Sequence, residues 1–287
     1  MTVSVDSVVE RVQTILQDTT GVRWPVVEEL VLWINDAQRE IALMKPDASA
    51  RNEVVTLVEG TKQDIPTNGN RLLRVIRNMS DATASATGKR AVRIVQREVL
   101  DSQTPNWHDE TSTGDAAHSN TVIHYIYDEE NPRNYYVFPG VEGNAYLEIV
   151  YSANPATVIP GTAAVWAAGA KVYDAAVPEY VQHKGVKYKL IATTTSTGDE
   201  PGTTDGADNW QVVGIIVLTV PDIYANAIMN YVLYMAYMKD ADFAANAQRA
   251  ATHFQLFTGS VQGKSNTDDV VSPNQKAAAR ASSLAGV

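Results

Sequence analysis

The stretch that decides the fold runs Trp24-Pro25-Val26-Val27-Glu28-Glu29-Leu30-Val31-Leu32-Trp33-Ile34-Asn35-Asp36-Ala37-Gln38-Arg39-Glu40-Ile41-Ala42-Leu43-Met44-Lys45-Pro46. Val26, Leu30, Ile34, Ala37, Ile41 and Met44 recur at three- and four-residue steps, the period of an amphipathic helix. Pro25 suits the first turn of such a helix, and Lys45-Pro46 stops it. Upstream, Val5, Val8, Val9, Val12, Ile15 and Leu16 follow the same period up to Gly21. The two segments predict an N-terminal helical hairpin. Asp6, Glu10 and Asp18 among those spaced valines predict an amphipathic helix there and not a signal peptide.

Helical periodicity returns only near the other end. Tyr224, Ile228, Tyr231, Met235 and Met238 form one stripe, and Phe243, Ala247, Ala250, Phe254 and Phe257 another, with Asp240 or Asp242 available as a cap between them. Aromatic and Met stripes at this spacing read as core. The N-terminal and C-terminal pairs are therefore expected to pack as a four-helix bundle in an α+β protein.

Between the pairs the period falls to two. Val54 to Val58 and Gln63 to Pro66 read as a strand pair, followed by Leu72 to Ile76, Val92 to Val95, Val122 to Tyr127, Tyr135 to Phe138 and Tyr146 to Tyr151. This predicts an inserted, mainly antiparallel β domain, with Asp101 to Asn120 as a polar connection. The expected organisation is a helix pair at 1–48, a β domain at 49–158, a second small β insertion at 159–214, a helix pair at 215–258 and an extended tail at 259–287.

The tail is poor in apolar anchors, with Val261, Val270, Val271 and Leu284 around Pro273. Ordering a residue costs about 1 kcal/mol or more, and a few aliphatics at about 1.5–3 kcal/mol each cannot offset a whole segment. The tail is expected to order on a neighbouring protein.

Composition excludes several functions. The chain has no cysteine, so disulfides and thiolate metal sites are ruled out. A net charge of −10 argues against a wrapping nucleic-acid binder; it serves solubility, or a surface that DNA slides past without sticking. No apolar run approaches the roughly 20 residues of a membrane span. Gly259 to Ser265 looks like a phosphate loop but has three residues between its glycines where that motif has four, and it follows a helix. His108, His118, His124, His183 and His253 are scattered, which leaves a metal site without support. No carboxylate pair stands in a context for acid–base catalysis. The expectation is therefore no catalytic residue, no metal and no cofactor. Arg71, Arg74, Arg77, Lys89, Arg90, Arg93 and Arg97 form the one basic cluster; they are ordinary exposed strand positions, or they face acidic neighbours or the phosphates of passing DNA.

The ordered set of segments resembles bacteriophage head-to-tail adaptors of the connector or tail-tubular type. The likeness is carried by Trp24 to Glu40, Glu59 to Pro66, Leu100-Asp101 with Pro105-Asn106-Trp107-His108, Asn131-Pro132 through Pro139, Tyr231 to Asp240 and Ala244 to Phe257. It implies a non-enzymatic virion protein of the neck, made in the host cytoplasm and assembled as a ring of twelve copies. Its implied partners are the portal protein, the tail or nozzle proteins, other copies of itself, and DNA passing through the bore without sequence-specific binding. The C-terminal segment would reach into the portal, with Val261, Val270, Val271, Pro273 and Leu284 as contacts.

One stretch, Pro155 to Val217, departs from that pattern. Its spacing of Trp166, Tyr173, Tyr180, Gly185-Val186-Lys187-Tyr188, Pro201 and Trp210 resembles small chitin-binding-type carbohydrate modules. Those modules show glycine-aspartate before the valine, where this chain has Pro178-Glu179-Tyr180. Trp166, Tyr173, Tyr188 and Trp210 either build the core of a small β module or present faces to a glycan, a tail fibre or another virion protein. The rival readings are a virion-surface carbohydrate-binding accessory protein and a polysaccharide-degrading tail enzyme; the second lacks both an acid–base pair and long repetitive β structure.

Overall fold

The computed structural model describes residues 2–83, 85–167, 180–191, 200–203, 209–240 and 244–271. The chain divides into two units, one of Pro46–Asn154 and one of Met1–Lys45 with Pro155–Val287. Helix α1 (Val5–Leu16) starts at Ser4, whose hydroxyl accepts the Ser7 N–H at 3.2 Å, and it buries Val5, Val8, Val9 and Val12. Gln17 ends it in the left-handed region, φ 56°, four residues before the expected Gly21. The Asp18 carboxylate then accepts the N–H groups of Val22, Arg23 and Trp24 at 3.1, 2.9 and 2.9 Å, which organises the loop. One wide π turn, Val26–Leu30, leads into α2 (Val31–Met44).

The Pro46–Asn154 unit is built from β1 (Ala50–Thr56), β2 (Gly60–Asp64), β3 (Gly69–Met79), β4 (Gly88–Ala91), β5 (Arg93–Ile94), α3 (Arg97–Gln103), β6 (His124–Tyr127), β7 (Asn134–Val141) and β8 (Tyr146–Ala153). They form two four-stranded sheets, ordered β1-β8-β3-β4 and β2-β7-β6-β5. The expected pairing of the first two strands is not made: β1 pairs with β8, and β2 with β7 in the other sheet. The chain turns the corner at Leu57–Gly60. There the Gln63 side chain accepts the Val58 N–H at 2.9 Å and donates to the Val58 carbonyl at 2.7 Å. The corner ends at Gly60, φ 96°, a conformation that glycine adopts without cost. Leu72, Val75, Tyr135, Val137, Leu147 and Ile149 are among the residues that fill the core between the sheets. A second cluster, Leu100, Trp107, Ile126 and Phe138, lies under α3, and the Trp107 indole N–H donates to Asp101 at 2.9 Å. The polar connection expected over Asp101 to Asn120 therefore contains a fully buried tryptophan.

The other unit resumes with β9 (Ala164–Val165), β10 (Tyr180–His183), β11 (Val186–Leu190) and β12 (Trp210–Ile215), a sheet ordered β12-β11-β10-β9 with only the β9–β10 pair parallel. Helices α4 (Ala225–Lys239) and α5 (Ala244–Val271) follow. Their contact is an aromatic seam in which the Tyr231 ring meets Phe257 at 5.1 Å and the Tyr234 ring meets Phe254 at 5.0 Å.

The four-helix bundle expected from the two terminal pairs does not form, although the protein is α+β. Helices α1 and α2 both pack on α4. The start of α1 is tied to extended chain after β12: Val5 N–H donates to Ile216 O and Leu218 N–H to Val3 O, both at 3.0 Å. The buried face of α2 is not purely apolar either. The Asn35 carboxamide accepts the Val158 N–H at 2.8 Å and donates to Val158 O at 3.2 Å. The Gln38 carbonyl accepts the Thr219 N–H at 2.7 Å and its hydroxyl at 2.9 Å. These two amides fix α2 to irregular chain on the face where a bundle would need another helix, because buried backbone groups must find partners.

Candidate functional site

Helix α5 runs through Gly259 and Gly263 to Val271, so the first residues of the expected tail are helical. Local propensity disfavours glycine in a helix, and a tertiary contact overrides it here. Val261, in the unit of Met1–Lys45 with Pro155–Val287, is buried, 1% exposed. Further along, Asp268 ion-pairs with Lys264 one turn back and with Lys45 at the end of α2. Lys45 is only 6% exposed, so the pair neutralises a cation that folding removes from water. The hydrogen bond from Lys264, and then that from Lys45, hold the Asp268 carboxyl below its ordinary range. Val270 and Val271 are the last two residues of α5. The side chains of Val270 and Val271, and the whole of Pro273 and Leu284, lie outside the described residues.

The four aromatic residues of the small module do not share one environment. Tyr188 and Trp210 are buried, with Val181 and Leu190, in the core of the β9–β12 sheet. Trp166 is half-buried against that cluster and meets the His183 ring edge-on at 5.0 Å. His183 and Lys184 both reach the Glu200 carboxylate, at 2.8 and 2.6 Å. Tyr173 lies outside the described residues.

The basic cluster has a geometry that its sequence spacing hides. Along β3 the partners in β8 are Arg71↔Ser152, Leu72↔Tyr151, Arg74↔Val150, Val75↔Ile149 and Arg77↔Glu148, so one residue is bulged out at every third position. Repeated bulges convert the strand's two-residue alternation into a three-residue one. Arg71, Arg74 and Arg77 therefore share one exposed face, while Leu72 and Val75 enter the core. Arg77 pairs with Glu148 at 2.6 Å, and Arg71 Nε donates to the Tyr127 hydroxyl at 3.3 Å. The Glu148 carboxyl is held below its ordinary range, mainly by the Asn52 side chain and then by Arg77. Among the described residues Arg74, Lys89, Arg90 and Arg93 make no ion pair, and all four are exposed.

His108 and His124 serve packing. His108 Nδ1 lies 2.7 Å from the Thr61 hydroxyl and its ring lies tilted against Trp107, and burial holds its pKa below the ordinary value. His124 is partly buried and stacks on Phe138. Among the described residues no three His, Asp or Glu side chains are arranged to hold a metal ion, and no helix is long and apolar enough to cross a membrane.

Sequence reading missed Asn35, Gln38 and Lys45, the buried polar residues that bind separated parts of one unit. Gln38 falls four residues after Ile34, on the apolar stripe itself, and an amide on that stripe was the available signal.

Comparison with known families matches the chain to the one described as SU10 adaptor protein, over residues 3–199 and 188–277. The two matched segments meet at 188–199, inside the stretch likened to a carbohydrate module, and that likeness gains no support from the match. No curated protein matches the chain.

Proposed function

Because the chain belongs to the SU10 adaptor protein family, and is thus a structural adaptor of a bacteriophage particle, we propose that it forms a ring between the portal and the tail through which DNA passes. The ring would be a dodecamer, with the last residues of α5 and those after it docking on the portal and the other face meeting tail or nozzle proteins. The observation that carries this reading is the anchored extension of α5. The Lys45–Asp268 pair holds the helix to its own unit and Val261 is buried, so the segment beginning at Ser272 leaves from a fixed point. With Val261 buried in the chain's own core, docking falls to Val270, Val271, Pro273 and Leu284. The net charge of −10 supports a bore that DNA traverses without adhering.

Deletion of Val270 to Val287 tests it. The truncated protein is expected to keep its circular dichroism and melting temperature, yet to fail to cosediment with purified portal that binds the full chain. Equal binding by the truncated chain refutes the docking role. Electron microscopy of the portal complex checks for the ring.

A further inference from the structure

Two adjoining hollows in the Pro46–Asn154 unit, of about 390 and 440 Å³, share Ile94 and Tyr127 and form one open groove. Arg71 and Leu73 of β3 line one end, and Arg97 at the start of α3 lines the other. Ile94 is 63% exposed at the middle. Arg71 uses its Nε on the Tyr127 hydroxyl, and Arg97 uses its Nε in a long 3.4 Å ion pair to Asp101 while its guanidinium lies over the Tyr136 ring at 5.7 Å. Both guanidiniums therefore keep donors for an incoming acceptor.

The backbone is open as well. β5 is the last strand of its sheet. The N–H groups of Arg93 and Val95 bond to Ile123 and Tyr125, which by strand alternation turns those of Ile94 toward the unpaired edge. An apolar side chain beside an open strand edge, with an arginine at each end, has the chemistry of a site for an extended chain that carries carboxylates on either side of an aliphatic residue.

We propose that this groove binds an acidic, extended segment of a neighbouring virion protein, with Ile94 as the apolar contact and Arg71 and Arg97 as the carboxylate clamps. Duplex DNA fits it less well. Asp47 and Glu98 also line the hollows, and Asp128-Glu129-Glu130 follow Tyr127 directly. A duplex carries a charge about every 1.7 Å and has no neutral residues to set against those carboxylates, whereas a peptide has. The proposal concerns this unit alone and stands apart from the ring and from the tail beyond Val271.

The test is fluorescence polarisation with the full-length protein at low salt. The probes are a labelled peptide with a central isoleucine, one glutamate two residues away on each side and serine elsewhere, the same peptide with glycine at the centre, and a labelled random-sequence duplex. The isoleucine peptide is expected to bind at least about tenfold more tightly than the glycine peptide, and more tightly than the duplex. Ile94→Ser and Arg97→Glu, both at exposed positions and checked for folding by circular dichroism, should each weaken it about tenfold. The proposal is overturned if the glycine peptide binds equally, if the duplex binds as tightly as the isoleucine peptide, if neither peptide binds, or if Ile94→Ser leaves binding unchanged.

Discussion

Replacing Asn35 with alanine tests how the unit of Met1–Lys45 with Pro155–Val287 is held together. Val158 is fully buried, and both its N–H and its carbonyl bond to the Asn35 carboxamide, at 2.8 and 3.2 Å. The third bond of that amide, to Val31 O at 3.0 Å, matters less because that carbonyl already sits in the α2 ladder. Asn35→Ala leaves two backbone groups of Val158 buried without partners, at about 1–3 kcal/mol each. The better helix propensity of alanine returns only about half a kcal/mol. The net loss is about 3 kcal/mol, or a melting temperature lower by about 5 °C at this chain length. Gln38→Met is the comparator. It strands the Thr219 N–H, yet it also removes a buried Gln38 amide nitrogen that finds no hydrogen-bond acceptor, so the two effects partly cancel and the loss should be smaller. Differential scanning calorimetry measures both variants. A loss below about 1 kcal/mol for Asn35→Ala, or a larger loss for Gln38→Met, refutes the account of these amides as the clasp of that unit.

Asp268→Ala leaves Lys45 buried without its carboxylate, whereas Lys45→Met replaces the cation by an apolar chain of similar length; the first should destabilise α5 more, read as faster amide exchange over 259–271. The Asp268 carboxyl is held below its unfolded value, so its contribution is complete above that value and is lost as pH falls through the lower, folded one. Protection of 259–271 should accordingly drop below about pH 4 in the wild type and not in Asp268→Ala, and parallel loss in both would exclude the ion pair as the cause. Trp210→Ala should cost about 3–5 kcal/mol and unfold the β9–β12 sheet, while Trp166→Ala, at a half-buried position, should leave it folded; near-ultraviolet circular dichroism separates these outcomes from the reverse.

How much of this was legible depended on whether a residue's role is set by its neighbours in sequence. The stripes that gave α1, α2 and α4 are local, and the structure has helices at all three. β3 reads as a strand because Leu72, Val75 and Ile76 are β-formers, but its three-residue rhythm of arginines is created by bulges against β8, a partner some seventy residues away in sequence. Trp107 sits in a polar stretch and is buried only because Leu100, Ile126 and Phe138 converge on it. The bundle expectation failed at Asn35 and Gln38. A stripe reports that a face is buried, but it does not name what covers it, and there the cover is irregular chain at Val158 and Thr219. Gly259 and Gly263 misled in the opposite direction, since their helix is fixed by Val261 and Asp268 rather than by propensity.

That fixed helix bears on how a weak tail could hold a neck together. On the proposed reading, each docking segment offers few apolar side chains, and an isolated contact of that size has an affinity nearer 1 mM than 1 nM, about 4 kcal/mol in place of 12. A ring presents many such contacts at once. Each later contact is then intramolecular, and its effective concentration depends on how tightly the segment's root is held. An α5 pinned at Val261 and Asp268 shortens the free linker to the residues after Val271, whereas a helix ending at Phe257 would lengthen it by fourteen residues. Unpinning α5 through Asp268→Ala should therefore weaken assembly on the portal by more than it weakens the folding of one subunit, because the same loosening is repeated at every position of the ring.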